Sequence, residues 1–177
     1  MTHHERIQLI TSRIRDVPDF PKPGIMFKDI TPLLADPVGF STVLDLFTEQ
    51  WAHHRPEVIV GIEARGFIFG GALASRMKVS FVPARKRGKL PAETIAQEYD
   101  LEYGTDTVEI HADAFRNGAR VLIVDDLIAT GGTAWATAKL VGRLGGDLLG
   151  AAFVVELSDL GGAARLAPLE THSLIRY

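Results

Sequence analysis

Short, continuous runs of apolar residues alternate with helix-like segments along most of the chain, and this alternation constrains the fold more than any other feature. The runs that predict strands lie at 58–60, 79–82, 121–124 and 148–155. Segments of helical character lie between them, at 67–77 and 132–144. Strands that are apolar on both faces and separated by helices are typical of a parallel sheet covered on both sides. The sequence therefore predicts an α/β, doubly wound, mostly parallel sheet flanked by helices, whose ligand lies outside the carboxyl ends of the strands.

Two more helices are predicted before the first of these strands. Residues 5–17 carry isoleucines at helical spacing. Asp36 and Pro37 are typical of an N-cap and a first helical residue. They precede an amphipathic segment with Phe40, Val43, Leu44, Phe47 and Trp51 on one face. The proline-rich stretch 18–24 between the two cannot form a helix interior.

Composition excludes several other classes of protein. A chain of 177 residues suits one domain, 1–177. A net charge of −3 gives no sign of a nucleic-acid-binding surface, and the absence of cysteine excludes disulfides and thiolate metal sites. The N-terminus is charged, unlike a signal peptide, and no apolar run is long enough to span a bilayer. We therefore expect a cytoplasmic protein with no membrane or nucleic-acid partner.

The clearest candidate site follows the strand at 121–124. The segment VLIVDDLIATGGT places Asp125 and Asp126 at the strand end and Thr130-Gly131-Gly132-Thr133 at the start of the next helix. Glycines let backbone N–H groups approach an anion, and a helix N-terminus favours negative charge. Carboxylates a few residues away can accept hydrogen bonds from sugar hydroxyls. The pattern therefore suits a ribose 5-phosphate.

Two nucleotide-binding patterns are missing, and one simpler interpretation stays open. The chain contains neither G-x-x-x-x-G-K-[ST] nor G-x-G-x-x-G, so neither a Walker-type loop nor a dinucleotide fold is predicted. The same residues would also be consistent with a strand that ends in a solvated Asp-Asp turn, with Gly131 and Gly132 as ordinary turn residues.

The segment 85–107 fits neither a strand nor a helix well. A long irregular loop in a compact domain is usually functional or disordered. Arg85, Lys86, Arg87 and Lys89 lie within five positions, which in an acidic chain indicates a polyanionic ligand. A solvated basic loop or an RNA-binding patch is the alternative, although other basic stretches are absent.

The segment from the apolar strand to A-T-G-G-T resembles the phosphoribosyl-pyrophosphate (PRPP) loop of the type I phosphoribosyltransferases. Further segments resemble the adenine branch of that family, in its order and over nearly the whole chain. They are FPKPGIMFKDI at 20–30, GIEARGF at 61–67, RKRGKLP at 85–91, LEYG at 101–104 and VELSDL at 155–160.

The resemblance implies a role for each of these segments. Residues 1–35 would form a small N-terminal hood over the base, and 85–107 a long mobile lid. Glu102 would be the acid/base at the purine N7, and Glu63-Ala64 would carry a cis peptide. The phosphate and ribose would contact Asp125, Asp126, Ala129, Thr130, Gly131, Gly132 and Thr133; pyrophosphate would contact Arg65, Arg87, Lys89 and Tyr103; adenine would contact Met26, Phe27, Lys28 and Leu160.

Some of these assignments have plainer alternatives. Arg65 could instead be a surface ion-pair partner of Glu63, and Phe27 and Leu160 could be ordinary core residues. Lys28 and Met26 depart from the arginine and the smaller aliphatic residue common in the branch.

The resemblance further implies that the chain transfers the phosphoribosyl group of PRPP to adenine, giving AMP and pyrophosphate in purine salvage. Mg²⁺ would arrive with PRPP, because it prefers oxygen ligands and phosphates to a dedicated protein site. A homodimer is implied, with Arg87 reaching the neighbouring site. Two alternatives remain: a PRPP-binding transcriptional regulator, and a sister enzyme that acts on a 6-oxo purine or xanthine.

Overall fold

The computed structural model describes residues 1–101 and 104–177, which form two compact units, Met1–Leu46 and Phe47–Tyr177. The single domain predicted at 1–177, with its hood at 1–35, stays a prediction. Among the described residues the helices are α1 (His3–Thr11), α2 (Thr31–Ala35), α3 (Pro37–Trp51), α4 (Gly66–Met77), α5 (Gly132–Arg143) and α6 (Gly162–Leu166). The strands are β1 (Arg15–Pro18), β2 (Met26–Asp29), β3 (Val58–Ile62), β4 (Ser80–Lys86), β5 (Thr94–Asp100), β6 (Thr105–His111), β7 (Arg120–Ile128), β8 (Asp147–Glu156) and β9 (Thr171–Arg176).

In the N-terminal unit, helix α1 is shorter than the helix predicted at 5–17. It begins with a capping box between Thr2 and Glu5. It ends at Thr11, where the Thr11 and Ser12 hydroxyls donate to main-chain carbonyls 2.9 and 2.7 Å away. Residues 15–18 pair antiparallel with β2 instead. The prediction was wrong beyond Thr11 because strand pairing, which local spacing does not reveal, overrides the helical pattern.

The predicted start of α3 is confirmed. The Asp36 carboxylate accepts hydrogen bonds from the backbone N–H groups of Val38 and Gly39, at 3.0 and 3.3 Å. Pro37 is the first helical residue. This is the arrangement by which an N-cap satisfies the unpaired N–H groups of a first helical turn.

The C-terminal unit contains a seven-stranded sheet in the order β5-β6-β4-β3-β7-β8-β9. The neighbours β4, β3, β7, β8 and β9 run parallel, while β5 and β6 are antiparallel. All five residues of β3 are buried, as are residues 121–124 of β7. These continuous buried strands explain the apolar runs in the sequence, and the predicted doubly wound, mostly parallel α/β fold is confirmed.

The prediction of no regular structure across 85–107 was wrong. Strands β5 and β6 form a hairpin, in register from Thr94 opposite His111 to Asp100 opposite Thr105. Tyr99, Val108 and Ile110 are buried on it, but charged residues occupy much of the rest. Strand β5 is at the edge of the sheet, where charged side chains such as Glu98 and Asp100 discourage pairing with other chains, and these charges concealed its strand pattern. Strand β9 was also missed.

Candidate functional site

The parallel strands bring three sequence-predicted segments to one edge of the sheet. In the parallel register of β3 with β7, Gly61 lies opposite Val124, so Glu63 and Asp125 each follow at the same edge. Ala84 of β4 pairs with Ile62 of β3, which brings the basic turn after β4 to this edge as well. The carboxyl ends of the strands are where ligands of doubly wound folds bind.

The glycine-rich turn between β7 and α5 lines a cavity of about 140 Å³. Gly131 is the N-cap of α5 with φ +75°, and a Cβ there would lie 2.6 Å from the Gly162 carbonyl oxygen. A Cβ on Gly132 would lie 2.9 Å from the Tyr99 ring. Both positions therefore require glycine, and the helix N-terminus is open to a small anion. The cavity lining includes Asp125, Ala129, Thr130, Gly131, Gly132 and Thr133.

The acidic pair at the end of β7 is held in two different environments. The Asp126 side chain is almost fully buried, and its Oδ2 lies 2.5 Å from Nε of Arg65. The backbone N–H of Asp126 donates to Oδ1 of Asp125 at 2.8 Å. Burial raises the pKa of the Asp125 carboxyl well above its usual value, and the adjacent Asp126 charge raises it further. The site therefore holds an acid that disfavours its charged form beside one that is ion-paired.

The loop after β3 is connected to the basic end of β4. The Glu63–Ala64 peptide is cis, as the resemblance implied. Glu63 accepts from Nη2 of Arg85 at 2.9 Å and from the backbone N–H of Lys86 at 3.0 Å. The Arg85 hydrogen bond lowers the pKa of the Glu63 carboxyl. The ion pair of Glu63 is thus with Arg85, and that of Arg65 is with Asp126.

A second cavity, of about 230 Å³, adjoins the first, because Asp125 and Thr133 line both. Its other lining residues include Glu63, Arg85, Lys86, Tyr99 and Asp106. Basic and acidic groups therefore surround a space next to the phosphate-sized cavity. A binding site for a second anion and its accompanying cation would need both kinds of group.

A buried glutamate that sequence reasoning missed supports the basic turn. Oε2 of Glu109 accepts from the backbone N–H of Gly88 at 3.0 Å, and Glu109 is only 8% exposed. Gly88 separates Arg87 from Lys89, whose side chains are exposed. The alternation of Val108, Glu109 and Ile110 contained no signal for this contact, because the partner is a main-chain group on another segment.

Glu102 and Tyr103 lie outside the described residues, so their predicted roles stay predictions. Of the two residues that flank them in the sequence, Leu101 donates its backbone N–H to the Gly104 carbonyl at 2.9 Å. Leu160 follows β8 and is 47% exposed, as a side chain that contacts a ligand would be.

The remaining predicted residues lie in the N-terminal unit, on β2. Met26 is 50% exposed, and the Phe27 ring meets the Phe20 ring edge to face at 5.1 Å. Nζ of Lys28 forms an ion pair with Oδ1 of Asp16 at 2.7 Å, with only 10% of the lysine side chain exposed. Lys28 is thus held against β1, where Asp16 is its cross-strand partner.

No helix among residues 1–101 and 104–177 combines the length and the apolar character that a membrane span requires. In the same part of the chain, no group of three or more His, Cys, Asp or Glu side chains could hold a metal ion.

A parallel sheet with a glycine-rich strand-to-helix turn and acids at its carboxyl edge is typical of α/β proteins that bind phosphorylated sugars and nucleotides. Comparison with known proteins agrees: the family model described as "Phosphoribosyl transferase domain" matches residues 45–169. An adenine phosphoribosyltransferase of Nostoc punctiforme is 55% identical over 170 residues, which cover 95% of this chain and 99% of the relative. The chain belongs to the adenine phosphoribosyltransferase family.

Solved structures support this membership. The adenine phosphoribosyltransferase of Rhodothermus marinus superposes with a TM-score of 0.94 at 49% identity, covering 98% of this chain and 99% of that one. The Saccharomyces cerevisiae enzyme, in complex with an imino-altritol bisphosphate and adenine, has a TM-score of 0.92 at 40% identity, with coverage of 97% and 99%.

Proposed function

We propose that this chain transfers the 5-phosphoribosyl group of PRPP to adenine, producing AMP and pyrophosphate for purine salvage. The observation that carries the proposal is the arrangement at the end of β7. There a glycine-rich helix N-terminus and the Asp125 carboxylate line one cavity, and the adjacent Asp126 is buried beside it in an ion pair with Arg65. Family membership supports the choice of adenine.

The geometry suggests how PRPP is held. The N–H groups at the start of α5 and the Thr130 and Thr133 hydroxyls bind the 5′-phosphate, which supplies binding energy away from the reacting carbon. Asp125 and Asp126 accept hydrogen bonds from the ribose hydroxyls. Arg65 is paired with Asp126 and is close enough to this edge to share its charge with pyrophosphate oxygens.

The reaction is a displacement at ribose C1. Adenine N9 attacks C1 while the C1–O bond to pyrophosphate breaks, through an oxocarbenium-like transition state. Glu102 takes up or returns the proton at purine N7. The segment 85–107, with Arg87 and Lys89 exposed on its basic turn and Tyr103 beside Glu102, covers the site and excludes water.

Adenine is selected by its edge rather than by its ring faces. Phe27 and Leu160 provide apolar surfaces for the ring, and backbone groups near Met26 pair with N1 and the 6-amino group. A 6-oxo purine would leave those groups unpaired, which is a strong basis for rejection. Lys28, which its ion pair with Asp16 holds on β2, is the fourth residue proposed to contact adenine.

Mg²⁺ fits the donors at this edge as an ion carried by PRPP. Carboxylate oxygens are ligands it accepts, and one of the two acids here is already paired with Arg65. When bound, the ion neutralises charge on the departing pyrophosphate. A homodimer and a cytoplasmic location belong to the same proposal, and are tested by the mass of the purified protein and by cell fractionation.

The function is tested by incubating the protein with PRPP and Mg²⁺ and with adenine, hypoxanthine, guanine or xanthine in separate reactions. Pyrophosphate release is followed for wild type, Glu102→Gln and the double variant Asp125→Asn/Asp126→Asn. We expect release with adenine alone, depressed by Glu102→Gln and reduced roughly 100-fold or more by the double variant.

Other outcomes have defined meanings. Release with an oxopurine instead of adenine would keep the phosphate site and reject the assignment of the base site. PRPP binding without pyrophosphate release in the presence of any base would favour the alternative that the chain is a PRPP-binding transcriptional regulator.

A further inference from the structure

A chain of hydrogen bonds connects the phosphate cradle to the β5–β6 hairpin. We define the phosphate cradle as residues 129–134. Oγ1 of Thr133 in the cradle lies 3.0 Å from the Tyr99 hydroxyl, which lies 3.3 Å from Oδ2 of Asp106. The same Oδ2 is 2.9 Å from Nζ of Lys86. Tyr99 and Asp106 face each other across the hairpin, and Tyr99 is only 5% exposed.

The chemistry of Asp106 determines the direction of this chain. The Lys86 ammonium beside it holds the pKa of the Asp106 carboxyl below its usual value, so the carboxylate is charged and can only accept hydrogen bonds. Tyr99 must therefore donate to Asp106. Burial raises the pKa of the Tyr99 hydroxyl, which keeps its proton in place. Thr133 must then donate to Tyr99, because that hydroxyl's single proton is already used.

Phosphate binding conflicts with this direction. A phosphate oxygen, like a carboxylate, only accepts, so Thr133 can serve a phosphate in the cradle only by turning its proton toward it. The Tyr99 hydroxyl can stay bonded to Thr133 by donating to Oγ1. The Tyr99 hydroxyl then no longer donates to Asp106. The Asp106 carboxylate still accepts hydrogen bonds from Lys86 and from the backbone N–H of Thr107.

We propose that the Tyr99 hydroxyl is a positioning group whose hydrogen bonds reverse when a phosphate group occupies the cradle, so that the β5–β6 hairpin responds to a bound 5′-phosphate. This inference rests on the proposed function. Tyr99 acts through Thr133 on one side and through Asp106 and Lys86 on the other. The close packing of the Tyr99 ring on Gly132 keeps the hydroxyl in reach of Thr133 in both arrangements.

The reversal can be observed directly, because the chain has only three tyrosines. Protein labelled with ¹³C at tyrosine Cζ is titrated with ribose 5-phosphate, and Tyr99→Phe identifies the Tyr99 resonance. We expect this resonance to move with ligand saturation in wild type. The Tyr99 resonance should stay in place in Thr133→Val that has been saturated with the ligand, with saturation established by calorimetry. A resonance that is stationary in saturated wild type, or that moves equally in Thr133→Val, would overturn the proposal.

Kinetics provide a second readout that a packing role would not produce. Tyr99→Phe keeps the ring and the other phosphate donors, so we expect kcat to fall while KM for PRPP changes little. Asp106→Ala removes the other end of the chain and should have the same effect, which keeps the proposal testable should Tyr99→Phe fail to fold. Unchanged kcat in both variants would reject it. Failure of wild type to bind ribose 5-phosphate at all would instead count against the phosphate cradle and the proposed function.

Discussion

At the scale of single residues, the two adjacent aspartates differ more than their sequence suggests. Asp126 is compensated by Arg65, whereas Asp125 is an acid whose pKa is raised by burial and by its neighbour. A carboxyl group whose charged form is disfavoured in this way lowers the stability of the folded protein at neutral pH, and such a cost is typical of a functional site. Ribose hydroxyls, bound as proposed above, would donate further hydrogen bonds to it.

The first prediction concerns the stability of Asp125→Asn. Because the folded-state pKa of Asp125 is raised, its ionisation destabilises the fold as the pH rises from the ordinary carboxyl value of 3.8 through the folded-state pKa. Asn cannot ionise. We therefore expect the free energy of unfolding at pH 7 to increase by roughly 1 kcal/mol while activity falls. Urea unfolding from pH 7 downward checks this, and the gain should vanish as the pH approaches 3.8.

Asp126→Asn is the matched control for that experiment. It removes the charge that pairs with Arg65 inside the protein, so we expect lower stability at pH 7 rather than higher. A gain of similar size in both variants would show that the two carboxyl groups are equivalent, contrary to the geometry.

At the scale of elements, the site depends on how closely neighbouring segments approach. Helix α4 begins at Gly66, directly beside Asp125. A Cβ on Gly66 would lie 2.7 Å from Oδ1 of Asp125 and 2.8 Å from the Val124 carbonyl oxygen. Five residues further along the helix, Gly71 has nothing within 4 Å of its Cβ position. Of these two glycines on one helix, only Gly66 is required by close packing.

The second prediction compares alanine at these two positions. Gly71→Ala should stabilise the protein by about 0.5–1 kcal/mol, because alanine is the better helix former and meets open space. Gly66→Ala should destabilise it by about 1–3 kcal/mol and lower activity, since Asp125 must move. Thermal unfolding and initial rates of both variants measure this difference; equal effects on activity would reject a role for the Gly66–Asp125 contact.

The third prediction concerns the basic turn after β4. Glu109→Ala leaves the Gly88 N–H without its partner, so the backbone between Arg87 and Lys89 is no longer held. We expect a stability loss of about 1–2 kcal/mol and a KM for PRPP that rises several-fold, with kcat less affected. Glu109→Gln, which still accepts a hydrogen bond, should recover most of the affinity. Equal KM values for the alanine and glutamine variants would contradict this role.

At the scale of the whole molecule, the proposed dimer allows a test of which subunit supplies Arg87. Arg87→Ala subunits keep their aspartates, and Asp125→Asn/Asp126→Asn subunits keep Arg87. If Arg87 serves the neighbouring site, mixing equal amounts of the two inactive variants should restore about a quarter of wild-type activity, because half of the dimers are mixed and each has one complete site. No recovery, with mixed dimers shown by mass spectrometry, would place Arg87 in its own subunit's site.

The sequence by itself determined the parallel sheet, the start of α3 at Pro37, the acids near the end of β7 and the glycines that follow this strand. Each of these follows from the spacing of residues that are close in the sequence. Backbone geometry imposes a fixed period on strands and helices and requires particular residues at caps and tight turns. Only the tertiary structure decided that Arg65 pairs with Asp126, that Glu109 supports Gly88, and that Tyr99 joins Thr133 to Asp106. The residues of each pair lie up to 61 positions apart in the sequence and come into contact only once the order of the strands is set, which no local pattern encodes.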